Sequence, residues 1–113
     1  MPTRIDSEVW LQHFAQLKSE GLGWFDFLTA IDRGDHVDVV ARVTDQSQSR
    51  SALVTTAVSV EVASLTSLYA GAAWYERETL EMFGIGFAGL TDQRPLLHRF
   101  FPDPPPLRKS VPS

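Results

Sequence analysis

The chain has 113 residues and no cysteine; 43% of its residues are hydrophobic, 21% are charged, and the formal net charge is −4. These figures fit one globular domain with one modest core, and they exclude a disordered chain, a basic nucleic-acid footprint, a disulfide framework and a cysteine-ligated iron–sulfur cluster. No run approaches the ~18 apolar residues needed to cross a bilayer, and Met1 to Asp6 lacks the apolar centre of a signal peptide, so a cytoplasmic protein is expected.

The first predicted element is a helix from Asp6 to Glu20. Asp6 or Ser7 can cap it, and Val9, Leu11, Phe14 and Leu17, with nearby Trp10, supply an apolar face. Gly21 and Gly23 end it. Three strand-like runs follow. Trp24 to Asp32 is rich in aromatic and β-branched residues. Asp32-Arg33-Gly34-Asp35 is a glycine-bearing turn. His36 to Thr44 alternates, with Val37, Val39, Ala41 and Val43 on one side and Asp38 and Arg42 on the other. A polar loop, Gln46 to Arg50, leads to Ala52 to Val60, where Val54, Val58 and Val60 share a face. Short connections make these runs antiparallel neighbours in a meander.

Val62 to Tyr69 is ambiguous, although Ser64 can cap a short helical turn there. Ala72 to Phe83 reads as a second helix, stopped by Gly84 in the left-handed C-terminal position. At roughly 100° per residue, Tyr69, Ala72, Ala73, Leu80 and Phe83 share one face. Glu76 stands in the middle of that face. Arg77, Glu78 and Glu81 fall opposite, with Trp74, and Arg77 can pair with Glu81 across one turn. An acid in the apolar stripe and a tryptophan in the polar one imply that both faces meet protein. Ile85-Gly86-Phe87 is a candidate last strand.

From Arg99 the composition changes. Phe100-Phe101-Pro102-Asp103-Pro104-Pro105-Pro106 cannot be helix or central strand and should be extended, largely polyproline II. The expected fold is α+β, an antiparallel meander sheet covered by two helices. It comprises a single domain over 1–98 and an extended proline-rich C-terminal arm over 99–113.

Catalytic chemistry finds no support. Glu76, Glu78, Glu81 and His98 are the candidates for a cluster, yet no activated nucleophile or oriented base accompanies them. His13, His36 and His98 lack metal-ligand spacing. Gly84, Gly86 and Gly89 follow a helix, which fits neither a Rossmann nor a P-loop context. No catalytic residue, cofactor, metal or nucleic acid is expected.

One block is specific enough to carry a resemblance. Tyr75-Glu76-Arg77-Glu78-Thr79-Leu80-Glu81-Met82-Phe83-Gly84-Ile85-Gly86-Phe87-Ala88-Gly89 resembles the signature of the thirty-kilodalton subunit family of the respiratory-chain NADH–quinone oxidoreductase, complex I. Arg94 with Leu96 and Leu97, then Pro106-Leu107-Arg108-Lys109, continue the pattern. Upstream, Phe25 to Asp32 and Gly71 to Trp74 are similar too. The chain departs from the family at Leu90-Thr91-Asp92, where His-Pro-Asp is usual, and at Ser110, where an acid is usual. The resemblance implies a non-catalytic subunit of the peripheral arm, an accessory to NADH dehydrogenase. Such a subunit docks on the large quinone-site subunit, supports electron transfer from NADH to quinone, and meets the cytoplasmic side of the membrane through partners only. It assigns partner contacts to Trp74, Arg77, Glu78 and Glu81 on the helix and to Leu107, Arg108 and Lys109 on the arm. It gives structural roles to Glu76, Gly84 and Arg94, with Glu76 in an internal charge-assisted bond to Arg94 or Arg99. Two alternatives stay open: the equivalent subunit of a membrane-bound energy-converting hydrogenase, and a free-standing adaptor that keeps the fold.

Overall fold

The computed structural model describes residues 2–90. The domain boundary at 98 and the arm over 99–113 lie outside the described residues, as do Arg94, His98, Leu107, Arg108 and Lys109.

The described chain runs β1 (Thr3–Arg4), a 3-10 turn (Ser7–Val9), α1 (Trp10–Ser19), β2 (Trp24–Asp32), β3 (Val37–Thr44), β4 (Ser51–Val58), β5 (Glu61–Ala63), α2 (Ala72–Phe83) and β6 (Gly86–Ala88). Four strands form one sheet in the order β1-β4-β3-β2. The antiparallel meander β2-β3-β4 is as expected. Two features go beyond it: β1 joins β4 in parallel, and β5 and β6 make a small parallel pair. The fold is α+β, with a mixed sheet and two helices.

Alternation sets the core. Val37, Val39, Ala41 and Val43 are all fully buried, and Val54 and Val58 of β4 join them. A bulge at Asp26 shifts the β2–β3 register between Phe25 and Phe27. Because side chains alternate with period two, that extra residue puts Phe25 on the same side as Leu28 and Ala30. Phe25 thereby meets Tyr69 and Tyr75, each at a centroid distance of 5.7 Å. Val60 departs from the reading of β4. The strand ends at Val58, and Val60 is 76% exposed beyond its end. Thr56 is instead the fully buried residue between Val54 and Val58, and its hydroxyl donates to the Ile5 carbonyl at 2.7 Å.

The first helix starts later than its sequence suggests. Residues 7–9 form a tighter 3-10 turn, and Val9 is left 40% exposed. The face that reaches the core is narrower, centred on Trp10 and Phe14, both fully buried. Gly21 stops α1 with φ +101°. Its amide donates to the Lys18 carbonyl, and the Leu22 amide donates to the Leu17 carbonyl, both at 3.1 Å. This Schellman pairing satisfies two carbonyls that the helix end would otherwise leave open, and it turns Leu22 into the core.

The second helix has the predicted bounds, and Gly84 closes it in the left-handed region at φ +75°. A Cβ in that conformation is strained by roughly 1–2 kcal/mol. Gly84→Ala should therefore lower the unfolding free energy by about 1 kcal/mol, read from a urea transition of unchanged slope.

Candidate functional site

The face of α2 that packs inward is a stripe of Ala72, Glu76, Thr79 and Phe83, continued by Tyr69 of the preceding turn, all buried. The spacing follows the helical repeat. Leu80 and Ala73, expected on the stripe, are half-buried at its margins. Thr79 turns its hydroxyl back to the Tyr75 carbonyl at 2.7 Å, which satisfies it inside the helix.

Glu76 has no exposed surface. Its carboxylate accepts from the Ser64 hydroxyl at 2.6 Å and from the Leu65 amide at 2.7 Å. Ser64 Oγ also accepts from the Thr66 amide at 3.1 Å and lies 2.7 Å from Thr66 Oγ1. Glu76 and Ser64 together thus cap the turn at 65–69, which closes through the Tyr69 amide onto the Leu65 carbonyl at 2.8 Å. The Ser64 amide donates to the Ala88 carbonyl at 2.8 Å, so the same residue ties α2 to β6. Burial pushes the Glu76 carboxyl above its usual range, opposed by the Leu65 and Ser64 hydrogen bonds. Of the partners expected for Glu76, Arg94 and Arg99 lie outside the described residues. Local sequence marks Ser64 as a cap for this turn but not as a partner of Glu76.

The outward face of α2 divides along its length. In the first turn Trp74 is 57% exposed. Glu78 is exposed and Arg77 half-buried. Glu81 is buried, contrary to its predicted outward place, and both it and Arg77 have interaction partners in the chain. The helical angle aligns Glu81 with Trp74, yet Trp74 is exposed and Glu81 buried, so the open part of this face is its N-terminal half. Beside Glu78 lies a shallow depression lined also by Thr29, Thr79, Met82 and Phe83. Of the seven partner-contact residues predicted, the described part of the chain brings Trp74, Arg77 and Glu78 together on one ridge. Leu107, Arg108 and Lys109 fall outside the described residues.

Among the described residues, no three His, Asp or Glu side chains are grouped to hold a metal ion. No helix there is long and apolar enough to cross a membrane.

Comparison with known proteins covers a family model, relatives by sequence and solved structures. The family model "Respiratory-chain NADH dehydrogenase, 30 Kd subunit" matches residues 3–113. An NADH-quinone oxidoreductase subunit of Sinorhizobium medicae is 40% identical over 82 residues, covering 71% of this chain and 41% of that protein. Its counterpart in Bartonella henselae is 48% identical over 59 residues, or 52% of this chain and 29% of that one. The mitochondrial NADH-ubiquinone oxidoreductase 30.4 kDa subunit of Neurospora crassa is 39% identical over 87 residues, covering 77% of this chain and 30% of that protein. The chain therefore spans less than half the length of each of these relatives. Among solved structures, a trypsin-resistant fragment of Nqo5 matches with a TM-score of 0.65 at 21% identity, covering 79% of both chains. A chain of the membrane-bound sulfane sulfur reductase, an archaeal respiratory membrane complex, matches with a TM-score of 0.73 at 18% identity. It covers 89% of this chain and 62% of that one. At these identities the two structures speak for the fold alone.

Proposed function

This chain belongs to the 30 kDa subunit family of respiratory-chain NADH dehydrogenase, and from that membership we propose that it is a non-catalytic subunit of the peripheral arm of an NADH–quinone oxidoreductase. In this reading it docks on the large quinone-site subunit, holds that neighbour's geometry, and supports electron transfer from NADH to quinone without carrying the electrons. It meets the cytoplasmic side of the membrane through its partners. The observation that carries the reading is the family match over residues 3–113. The open ridge of Trp74 and Glu78 on α2 supports it as the docking surface. An exposed tryptophan beside charged groups is the composition from which interface hot spots are drawn.

The test is recovery from the protein's own detergent-solubilised cells through an N-terminal tag. Co-recovery of quinone-site and flavin-bearing subunits is expected. Recovery with nickel–iron subunits would move the chain to the hydrogenase assembly, and recovery alone would leave the adaptor reading. A Trp74→Ala, Glu78→Lys double variant should lose at least ~10-fold in co-recovery, since one lost hot spot is worth about 2 kcal/mol or more. Its melting temperature should stay within a degree or two of the parent, because both side chains are exposed. Undiminished recovery would remove α2 from the interface.

A further inference from the structure

On the face of the sheet opposite the core, Asp38 is only 5% exposed. Its two oxygens hold two arginines from different parts of the chain. Arg4 of β1 donates from Nη2 to Oδ1 at 3.1 Å, and Arg33 of the β2–β3 turn donates from Nε to Oδ2 at 2.8 Å. His36 stands behind them, with Nε2 3.2 Å from Asp38 Oδ1 and Nδ1 2.7 Å from Asp35 Oδ1. The turn that carries Arg33 is itself fixed. The Arg33 amide donates to the His36 carbonyl at 2.9 Å, and the Gly34 amide donates to Asp32 Oδ1 at 2.9 Å.

Each guanidinium donates to Asp38 through one nitrogen. A guanidinium carries five N–H donors, so most of them remain for another acceptor. Both side chains are half exposed, at 55% for Arg4 and 51% for Arg33. Long basic side chains normally surrender rotamer freedom when they bind an oxyanion. Here one hydrogen bond to Asp38 already biases each guanidinium toward its place, which lowers part of that cost. The surroundings are mixed: His36 and the exposed Asp35 lie on the turn side, while Ile31 and Ala57, both exposed, flank Asp38 in the sheet register.

We propose that Arg4 and Arg33, clamped by Asp38, form a docking point for a carboxylate side chain of a partner protein, built from residues other than the α2 ridge. A planar, bidentate acceptor fits a paired guanidinium better than a point charge does. An anionic membrane surface is read instead by clusters of about four to eight basic residues. Two arginines beside Asp32, Asp35 and Asp38, on a chain of net charge −4, do not make such a cluster. Ile31 and Ala57, exposed and apolar beside the pair, give a partner protein surface to bury next to the arginine contact.

The test uses the purified full chain and the arginine Nε–Hε signals in NMR. It would be titrated at constant ionic strength with acetyl-Leu-Glu-Glu-Leu-amide, with inorganic phosphate, and with phosphatidylserine-containing vesicles. The Arg4 and Arg33 signals should shift together and saturate with the peptide, while that of Arg50 stays still. Arg33→Lys keeps the charge and, on a half-exposed turn, leaves the fold in place; it should weaken binding about fivefold through loss of the planar fork. Asp38→Asn is more incisive. It raises the local positive charge, so simple attraction would strengthen anion binding, whereas a clamped pair predicts weakening, again about fivefold. Unchanged affinity in Arg33→Lys, tighter binding in Asp38→Asn, or saturation only with phosphate or vesicles would overturn the proposal.

Discussion

Replacing Glu76 by alanine is expected to lower the unfolding free energy by about 3 kcal/mol, whereas Glu78→Ala should cost less than about 1 kcal/mol. Both acids lie on the same helix, two residues apart, so helix propensity does not separate them. Their surroundings do. Glu76 is fully buried and accepts from the Ser64 hydroxyl and the Leu65 amide. Removing it strands two buried donors, each costing roughly 1–3 kcal/mol, and leaves a small void. Ser64 can offset part of this through Thr66 Oγ1, 2.7 Å away. The Leu65 amide, fixed in the backbone of the turn, cannot swing to a new acceptor as a hydroxyl can. Glu78 is exposed, and water replaces whatever it touches. Urea transitions of the two variants would settle the comparison, and equal midpoints would sink the assignment.

The same residue carries a pH signature. Burial raises the Glu76 carboxyl above its ordinary value of 4.5. A raised acid binds its proton more tightly in the folded state than in the unfolded one. Its contribution is therefore fully present below the unfolded value and is lost as pH rises through the folded one. Glu76→Gln mimics the protonated form: the amide oxygen can accept from Leu65 while the amide nitrogen donates to Ser64 Oγ. The glutamine variant should be at least as stable as the parent at neutral pH, and the gap should close as pH falls toward 4.5. Asp38 works in the opposite sense. Burial pulls its carboxyl upward, but the hydrogen bonds and charges of Arg33 and Arg4 outweigh that and hold it low. Its stabilisation is present above the unfolded value and lost as pH falls through the folded one. Because both proteins in the Glu76→Gln comparison keep Asp38, its contribution cancels.

Local rules carry what the sequence makes legible. The bounds of α2 and β2 match because each is closed by a local stop: a left-handed glycine for one and a glycine turn for the other. Glu76 is legible as an acid inside an apolar stripe because the helical repeat places it there. Its partner is not, because Ser64 lies twelve residues earlier and reaches Glu76 only through the packing of the 65–69 turn. Val60 and Glu81 depart from expectation for a shared reason. Periodicity gives the direction of a side chain, not where a strand ends or what covers a helix turn. The clamp on Asp38 is out of reach as well. Alternation places Asp38 opposite the core, and only the parallel pairing of β1 with β4 brings Arg4 within its range.

Phe14→Ala is expected to destabilise the domain by about 3–5 kcal/mol, and Val9→Ala by less than about 0.5 kcal/mol. Helical spacing assigns the two residues to one apolar face, yet Phe14 is fully buried and Val9 is 40% exposed. The Phe14 ring packs edge-on against Trp10 at 4.8 Å and against Tyr69 at 6.4 Å. It therefore joins α1 to the turn that leads into α2. A domain of this size has a total stability of roughly 5–15 kcal/mol, so the variant should be close to the edge of folding at physiological temperature. A second readout tells whether the hole stays dry. The Tyr69 hydroxyl donates to the Leu22 carbonyl at 2.8 Å, and burial raises its phenol from 10.0 to about 12. If water enters the space left by Phe14, the ultraviolet titration of Tyr69 should move back toward 10.0. If the cavity remains closed, the phenol should titrate where it does in the parent, and the whole loss of stability belongs to the missing ring contacts.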